Sequence, residues 1–448
     1  MKKIKKQNHT KVALFAGATA LMTLTPNTHA QTSVDALLNK LEQKGVLSVD
    51  EAKELKSENA TNSVNDFDAA MNAKFPMPSW ITSYKLSGDF RGRFDDQSGD
   101  EAGIVARERL RYRLRAGLTL DMKDNLEVGF RLGTGDAPSA GNTTGGSPLS
   151  NNTTMQGNAS KKYIYVDTAY GKWTAINDGT WMLAGTFGKM VNPFDESPMV
   201  FDPDYTPEGA ALQATYKLNS KHSFRFNSAA FVLNEAQFSS HDPFLYGGQI
   251  IWDAKWTPAI GTSLGIAAYD ISNKKSLSTA YDSNVGNTLA GGLFATDFNP
   301  IVASGSVTYT LDKFPLYAGA FPIKLAGEYM KNPAAYGNNI GYWGGVTFGK
   351  SGKKGTWDIS YRYQVLDANA WWDQIVDDDN IAVLPTSTTA AGIVAGTGIK
   401  GHLIKANYSI TDALTFTFTC YANTLISNPV AGTKSDALHM MADIMWKF

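Results

Sequence analysis

Five arginines occupy every second position of the segment ARERLRYRLRAGLTLD: Arg107, Arg109, Arg111, Arg113 and Arg115. Guanidinium groups bind carboxylates and other anions, so a row of them could recognise charged solutes or facing acidic side chains. Because side chains alternate between the faces of a β-strand, all five arginines share one face. Unpaired charges are too costly in a dry core, so this face contacts water, anions or carboxylates.

Two kinds of sheet could carry this strand, whose other face is apolar over at least ten residues. One is a soluble antiparallel sheet with its polar face in solvent. The other is the wall of a membrane β-barrel, with lipid outside and water inside. The segment alone does not choose between them, so the rest of the chain must decide.

Catalytic and metal-binding residues are not predicted. Beyond residue 30 the histidines are His222, His241, His402 and His439, and the pair His222–Ser223 lies at the start of a predicted strand. Adjacent residues of a strand point to opposite faces, which excludes a serine–histidine pair there. The single cysteine excludes an internal disulfide, and no paired-cysteine or histidine-cluster motif indicates a metal. We therefore predict no enzyme activity and no cofactor.

The first thirty residues predict a secretory signal peptide. Lysines fill the start of the chain, an apolar run of thirteen residues follows at 12–24, and Thr28 and Ala30 stand at the cleavage positions. The apolar run is too short to span a bilayer as a helix. Removal of residues 1–30 takes away five lysines and no acidic residue. The remaining chain is mildly acidic, which gives no support to nucleic-acid binding.

Residues 31–60 predict a small helical hairpin or coiled-coil segment. Leu37, Leu38 and Leu41 share one helical face, and Ser48 with Glu51 makes a capping box for a second short helix. Residues 61–79 predict a linker, and residues 80–448 a barrel. A periplasmic spacer is the favoured role for 31–60, with self-association or contact with the cell wall as the alternatives.

The chain from residue 80 onward predicts about sixteen β-strands. Tight turns such as DMKDN, LNSK, KSGKKG and SITD alternate with long polar stretches such as 134–160, 270–301 and 366–399. Short turns on one rim and long loops on the other are typical of outer-membrane barrels. The predicted strands begin near Ile81, Ile104, Leu126, Lys161, Thr180, Gly209, His222, Leu245, Ser263, Val302, Pro322, Ile340, Thr356, Lys400, Ala413 and Leu438.

The predicted fold class is therefore all-β, a transmembrane antiparallel barrel with the arginines lining a water-filled lumen. Arg91, Arg93 and Arg131 of neighbouring strands are expected to join them. The last strand, LHMMADIMWKF, alternates and ends on Phe448, so it resembles the assembly signal of outer-membrane barrels. This implies the outer membrane of a Gram-negative bacterium, contact with its lipids, and recognition by the barrel-assembly machinery.

Two segments resemble the putative porin family of Gram-negative bacteria: LLNKLEQKGVLSVDEAKEL near residue 40, and GTFGKMVNPF with VFDPDYTPEGAAL within Gly185–Leu212. The resemblance implies a porin, a passive diffusion channel for small hydrophilic solutes. By analogy with general porins, it also implies a homotrimer whose pore is narrowed by the loop after the fifth strand. An anion- or phosphate-preferring channel, an outer-membrane enzyme and a structural tether stay as alternatives.

The loop after the fifth predicted strand is acidic and contains four prolines, which exclude a hydrogen-bonded strand. In the porin analogy its carboxylates face the arginines across the pore; the alternative is an extracellular acidic loop that binds divalent cations. For a second acidic stretch, WWDQIVDDDN, the sequence predicts a solvated loop tip, because the ligand spacing of a calcium loop is missing. The predicted constriction-loop carboxylates are Asp195, Glu196, Asp202, Asp204 and Glu208.

Overall fold

A computed structural model describes residues 78–101, 104–138, 145–235, 240–277, 279, 281–282, 284–385 and 392–448. Within these ranges no helix is long and apolar enough to cross a membrane. The predicted signal peptide (1–30), helical segment (31–60) and nearly all of the predicted linker (61–79) lie outside the described residues and stay predictions.

Sixteen long antiparallel strands of the described chain form one closed sheet. Each strand pairs with its neighbours in sequence, and the last pairs with the first, so that the sheet closes into a barrel. The predicted fold is confirmed, and every predicted strand start lies within three residues of an observed one. In chain order the strands are β1 (Ile81–Gly99), β2 (Arg107–Met122), β3 (Leu126–Gly135), β4 (Tyr163–Asn177), β5 (Trp181–Lys189), β6 (Glu208–Lys217), β7 (His222–Val232), β8 (Phe244–Lys255), β9 (Ile260–Ile271), β10 (Ile301–Leu311), β11 (Phe321–Lys331), β12 (Ile340–Gly349), β13 (Trp357–Leu366), β14 (Ile399–Ser409), β15 (Leu414–Leu425) and β16 (Ala437–Lys447).

The connections alternate in length, as the sequence predicts. The turn Lys123–Asn125 is tight because Asp124 and Asn125 adopt φ angles of 62° and 59°, a left-handed conformation that Asp and Asn tolerate. Turns on this short-turn rim include 178–180, 218–221, 256–259 and 410–413. The opposite, long-loop rim carries 136–162, 190–207, 272–300 and 367–398.

Strand parity gives the barrel an apolar outside. Leu86, Leu110, Leu114 and Phe130 point outward and are exposed, whereas the charged residues between them point inward. An exposed apolar band on the outside suits lipid and would be unusual on a soluble sheet. Trp343 faces the interior, where the guanidinium of Arg362 lies 5.6 Å from its ring centroid.

The chain terminus closes the barrel against β1. The backbone amide of Gly88 donates to the carbonyl of Phe448 at 2.8 Å, and the amide of Phe448 donates back at 3.1 Å. The Phe448 ring lies over Gly88, where a Cβ atom would come within 2.5 Å of the ring carbon Cζ. Glycine is therefore required at this close approach.

Three long loops fold into the barrel and build an apolar core inside it. Loops 190–207, 272–300 and 367–398 contribute Phe201, Phe298 and Trp371, which pack together with strand residues. The predicted solvated tip for WWDQIVDDDN is therefore wrong. The tryptophans and branched aliphatics of that stretch gain more by burial than the loop gains by staying in water.

Candidate functional site

The charged face of the first two strands is held in direct cross-strand register. This register places Asp89 opposite Arg115, Arg91 opposite Arg113, Arg93 opposite Arg111, and Asp95 opposite Arg109. The six arginines in these pairs form a continuous surface on the inside of the barrel, which we name the arginine wall. Its charges stand only one strand spacing apart, so the fold must compensate their repulsion.

Asp95 compensates the end of the wall that lies nearer the long loops. It is completely buried, and its carboxylate accepts hydrogen bonds at 2.9 and 3.1 Å from Nη2 of Arg109. Nη1 of Arg111 lies 3.5 Å from the same carboxylate. One acidic side chain thus bridges two consecutive arginines of the inner face.

Asp89 and Asp443 compensate the arginine charges further along the wall. The two oxygens of Asp89 accept hydrogen bonds from Nε of Arg113 at 3.0 Å and Nε of Arg115 at 2.8 Å. Asp443, on β16, binds Arg93 through two hydrogen bonds of 2.8 and 3.0 Å. Such paired, charge-assisted bonds allow guanidinium groups to be partly buried.

Two arginines of the wall are less fully compensated. Arg91 donates to the side-chain oxygen of Asn152 at 2.6 Å and lies 3.9 Å from Asp443. The Nε atoms of Arg91 and Arg111 are buried and have no hydrogen-bond partner in the described chain. Each of these two groups therefore keeps one donor that no described side chain satisfies.

The remaining predicted basic residues stand at the margins of the wall. Arg107 is exposed at the start of β2, on the long-loop rim. Arg131, on β3, forms an ion pair with Asp167 of β4. Both share the inward face that the alternation predicts, but neither contacts a loop carboxylate.

Two loops bring acidic side chains to the arginine wall. In loop 190–207, Asp204 lies 3.0 Å from Nη1 of Arg113 and 3.1 Å from Nη1 of Arg115. In loop 367–398, Asp379 lies 3.3 Å from Nη1 of Arg93. Burial alone would raise the pKa of Asp379, but the positive charges of Arg93, His439 and Arg91 together outweigh burial and lower that pKa.

The other predicted loop carboxylates do not contact the arginine wall. Asp195 binds Arg225 of β7 at 2.7 Å, and Glu196 accepts hydrogen bonds from strand residues described below. Glu208 is the first residue of β6 rather than a loop residue, and it lies 3.2 Å from Lys189. The prediction grouped these acids by sequence position, but they point to different sides of the lumen.

Asp202 instead joins the aspartates of loop 367–398. Carboxylate oxygens of Asp202, Asp377 and Asp378 lie within 4.8 Å of one another. Burial and the neighbouring carboxylates raise the pKa of Asp202 and of Asp378 well above the usual range. Carboxylate oxygens in such a group could hold protons or a hard divalent cation, and in either case they tie the two loops together.

Three cavities surround the inward-folded loops. A cavity of about 710 Å³ opens among the long loops, beside Tyr165, Glu208 and Trp372. A second, of about 580 Å³, lies beneath the loops along the arginine wall, and both are lined by Ser150 and Asp204. The third, of about 900 Å³, lies on the other side of the lumen. The arginine wall and Asp204 therefore flank the point where the first two cavities meet.

The sequence contained signals for the residues that prediction missed. Asp89 and Asp95 share the parity of Arg91 and Arg93 on β1, and Asp443 lies on the polar face of the last strand. Alternation alone indicates that these acids face the lumen. Their partners depend on the register between strands, which a single sequence does not specify.

Comparisons with known proteins agree with this architecture. The model of the putative porin family matches residues 103–299. OprB of Pseudomonas putida, in its high-pH structure, has 13% sequence identity and a TM-score of 0.51, with 82% of this chain and 94% of that chain covered. At this identity the likeness to OprB concerns the fold alone. A comparison with curated proteins gave no match.

Two further solved structures resemble the chain more distantly. OmpF of Salmonella typhi, in complex with daunomycin, has 10% identity and a TM-score of 0.46, covering 82% of this chain and 97% of that chain. A mutant porin of Rhodopseudomonas blastica has 10% identity and a TM-score of 0.40, covering 82% and 100%. The predicted resemblance is confirmed: the chain carries the sequence pattern of the putative porin family, a family of channels, over residues 103–299 of a sixteen-stranded barrel.

Proposed function

We propose that this porin is a passive diffusion channel for small hydrophilic solutes and ions in the outer membrane of a Gram-negative bacterium. Its pathway runs along the arginine wall, past the points where acidic residues of loops 190–207 and 367–398 contact it. The observation that carries the proposal is the position of Asp204. This carboxylate lines both cavities and lies 3.0 Å from Arg113, so a solute passing from one cavity to the other meets both charges.

Opposed charges at a constriction act on solutes in two ways. They create a field across the pore, which favours small dipolar solutes and orders water. They also set ion preference through the balance of the two signs. Because Asp89, Asp95 and Asp443 compensate much of the arginine wall, we expect the loop carboxylates to adjust a nearly balanced field.

An anion- or phosphate-preferring channel is the second candidate. The incomplete compensation of Arg91 favours it, since this guanidinium group lines the cavity along the arginine wall and its Nε has no partner in the described chain. The same recordings distinguish the two candidates. A strong anion preference at low salt supports the second, whereas weak selectivity supports the first.

Single-channel recording on purified, refolded protein tests the proposal. Stepwise currents are expected when the barrel inserts into a planar bilayer, and none when protein-free detergent is added as the control. A folded barrel that inserts without conducting would refute the channel and favour a structural or enzymatic role. Heat-modifiable migration on a gel, a property of folded barrels, would establish that the inserted protein is folded.

Assembly in the membrane stays a set of predictions. A homotrimer is the proposed state, and chemical cross-linking of intact outer membranes would reveal a threefold species. Deletion of Phe448 should slow insertion by the barrel-assembly machinery, because it removes the contact with Gly88. Contact of residues 31–60 with the cell wall is testable by co-sedimentation with peptidoglycan.

A further inference from the structure

The first half of loop 190–207 is bound to the wall opposite the arginines. The amide of Asp195 donates to Oε1 of Gln249 on β8 at 3.0 Å, and Nε2 of Gln249 donates back to the Asp195 carbonyl at 3.1 Å. Gln249 also donates to Oε1 of Glu196 at 2.9 Å, and Asn227 of β7 holds the Gln249 side chain in place at 2.9 Å. The loop is thus attached to the barrel by specific polar contacts at Asp195–Ser197.

Two glutamates meet at this attachment. Ser197 donates to Glu328 of β11 from its amide at 3.2 Å and from its hydroxyl at 2.6 Å. The hydroxyl of Tyr269, on β9, donates to Oε1 of Glu196 at 3.0 Å. The other carboxylate oxygen of Glu196, Oε2, is buried and accepts no hydrogen bond, although the side chains of Glu196 and Glu328 interact.

The charged groups around this pair do not neutralise it. Within the described residues neither glutamate forms an ion pair with a lysine or arginine. Arg225 forms ion pairs with Asp195 and Asp253, both at 2.7 Å. The titratable and charged groups that line the adjoining cavity, besides the two glutamates, are Asp195, Lys217, Lys221, His222, Arg225, Asp253, Lys255, Lys324 and Arg362.

We propose that Glu196 and Glu328 share a proton, and that this carboxyl pair is a latch that positions the constriction loop. With the proton present, one carboxyl group donates to the other, and the loop stays on strands β8, β9 and β11. Without it, two adjacent buried carboxylates repel each other. The loop then leaves these strands and moves into the pathway beside the arginine wall. The latch itself does not depend on whether the barrel conducts, whereas its effect on current rests on the proposed function.

The direction in which pH changes loop attachment follows from the pKa of Glu196 in the attached loop. Burial and the neighbouring Glu328 raise the pKa of Glu196 to about 9, and in a released loop it would return to the ordinary value of 4.5. The attached loop therefore binds the proton more tightly than the released loop does. Attachment is strongest below the ordinary pKa and weakens as the pH rises towards about 9.

Hydrogen–deuterium exchange of the folded full chain in detergent tests the latch without reference to current. After correction for the intrinsic exchange rate, amides of 190–207 should exchange about tenfold faster for each pH unit between 6 and 9. Glu196→Gln and Glu328→Gln keep the shape of the pair and remove one of its two titratable groups. Both variants should show a flat profile.

Glu127→Gln is the matched control. Glu127 points inward on β3 and accepts a hydrogen bond from Tyr170 at 2.8 Å, as Glu196 does from Tyr269, but it does not touch the loop. This variant should keep the wild-type slope. A flat profile in the wild type, or a wild-type slope in both latch variants, would overturn the proposal. If Glu328→Gln does not refold, Glu196→Gln decides, since its residue lies outside the barrel strands.

Single-channel recording of the same proteins gives the functional consequence. Closures of the wild-type channel should become more frequent between pH 6 and 9, while the latch variants show no such trend. A barrel that carries no current would refute the proposed channel and leave the exchange result standing. A conducting barrel with pH-independent exchange would refute the latch alone.

Discussion

Replacement of Asp204 by asparagine isolates the contribution of one loop carboxylate to ion selectivity. Asparagine has nearly the same shape and can still accept a hydrogen bond from Arg113 or Arg115, so the loop should keep its position. The substitution removes one negative charge at the point where the two cavities meet. A permeating ion that passes there is about 6 Å from the carboxylate, roughly twice the 3.0 Å contact with Arg113.

The size of the effect follows from Coulomb's law with screening. A unit charge at that separation contributes about 0.7 kcal/mol in water, and a Debye length of about 10 Å at 0.1 M salt reduces it to about 0.4 kcal/mol. This is about a twofold change in the local concentration of each ion, in opposite directions. The permeability ratio should therefore shift about fourfold towards anions at 0.1 M salt, and by less than about 1.5-fold at 1 M salt, where the Debye length is about 3 Å.

Reversal potentials of refolded protein in a salt gradient measure this ratio. Asp412→Asn is a suitable control, because Asp412 is an exposed turn residue on the short-turn rim, paired with Lys353 at 3.6 Å. It should leave the ratio unchanged within about 1.2-fold. If Asp204→Asn folds, conducts and keeps the wild-type ratio at 0.1 M salt, the pathway does not pass Asp204 and the proposed constriction is wrong.

Three further changes test other parts of the molecule. Replacing Arg109, Arg111 and Arg113 by serine should shift selectivity towards cations and lower the unfolding temperature, because buried Asp95 loses both arginines with which it forms ion pairs; unchanged selectivity in a folded protein would place the wall outside the conducting path. Gln156→Cys in the long loop 136–162 should react with an impermeant thiol reagent on intact cells, whereas Asp124→Cys in the turn Lys123–Asn125 should not, and the reverse pattern would invert the two rims. Trp371→Ala should cost about 3–5 kcal/mol within the inner apolar core and expose loop 367–398 to protease while the barrel stays intact; unchanged cleavage would show that this core does not hold the loop.

Strand positions were predictable because each depends on local information. In β13, Asp358 and Arg362 alternate with Ile359 and Tyr361, and one face must be apolar wherever a barrel meets lipid. Tight turns such as 410–413 mark strand ends without any knowledge of the partner strand. The alternation of polar and apolar residues and the turn sequences were sufficient to predict the number and order of the strands.

The partners of the charged residues were not predictable in the same way. Arg93 binds Asp443, which stands 350 positions away and becomes a neighbour only when β16 closes on β1. Glu328 is the single acidic residue of the strand FPIKLAGEYMK. The sequence of that strand does not indicate that Ser197 is its hydrogen-bond partner. Contacts of this kind depend on barrel closure and on loop placement, which are properties of the whole fold.

The inward folding of loop 367–398 was less predictable than the strand positions but more predictable than the partners of the charged residues. Trp371 and Trp372 stand side by side in a segment that forms no strand, and two large aromatics rarely stay in solvent. That signal was present, but the aspartates of the same segment suggested a solvated tip. Asp373 is buried with the aromatics, and burial raises its pKa to about 6. The apolar residues therefore determine where the loop packs, and the acidic residues of the same loop are buried with them.

The division of charge between the arginine wall and the loops determines which residues of this barrel can change without loss of folding. Each wall carboxylate bridges two arginines within the barrel itself, so the six arginines are largely balanced before any loop arrives. Changes at Asp89, Asp95 or Asp443 would disturb selectivity and folding together, because they uncover buried guanidinium groups. Changes at Asp204 or Asp379 act on groups that can be removed from the wall while the strands stay paired. Selectivity can therefore be altered through two loop residues at little cost to the barrel, whereas the wall must be preserved as a unit.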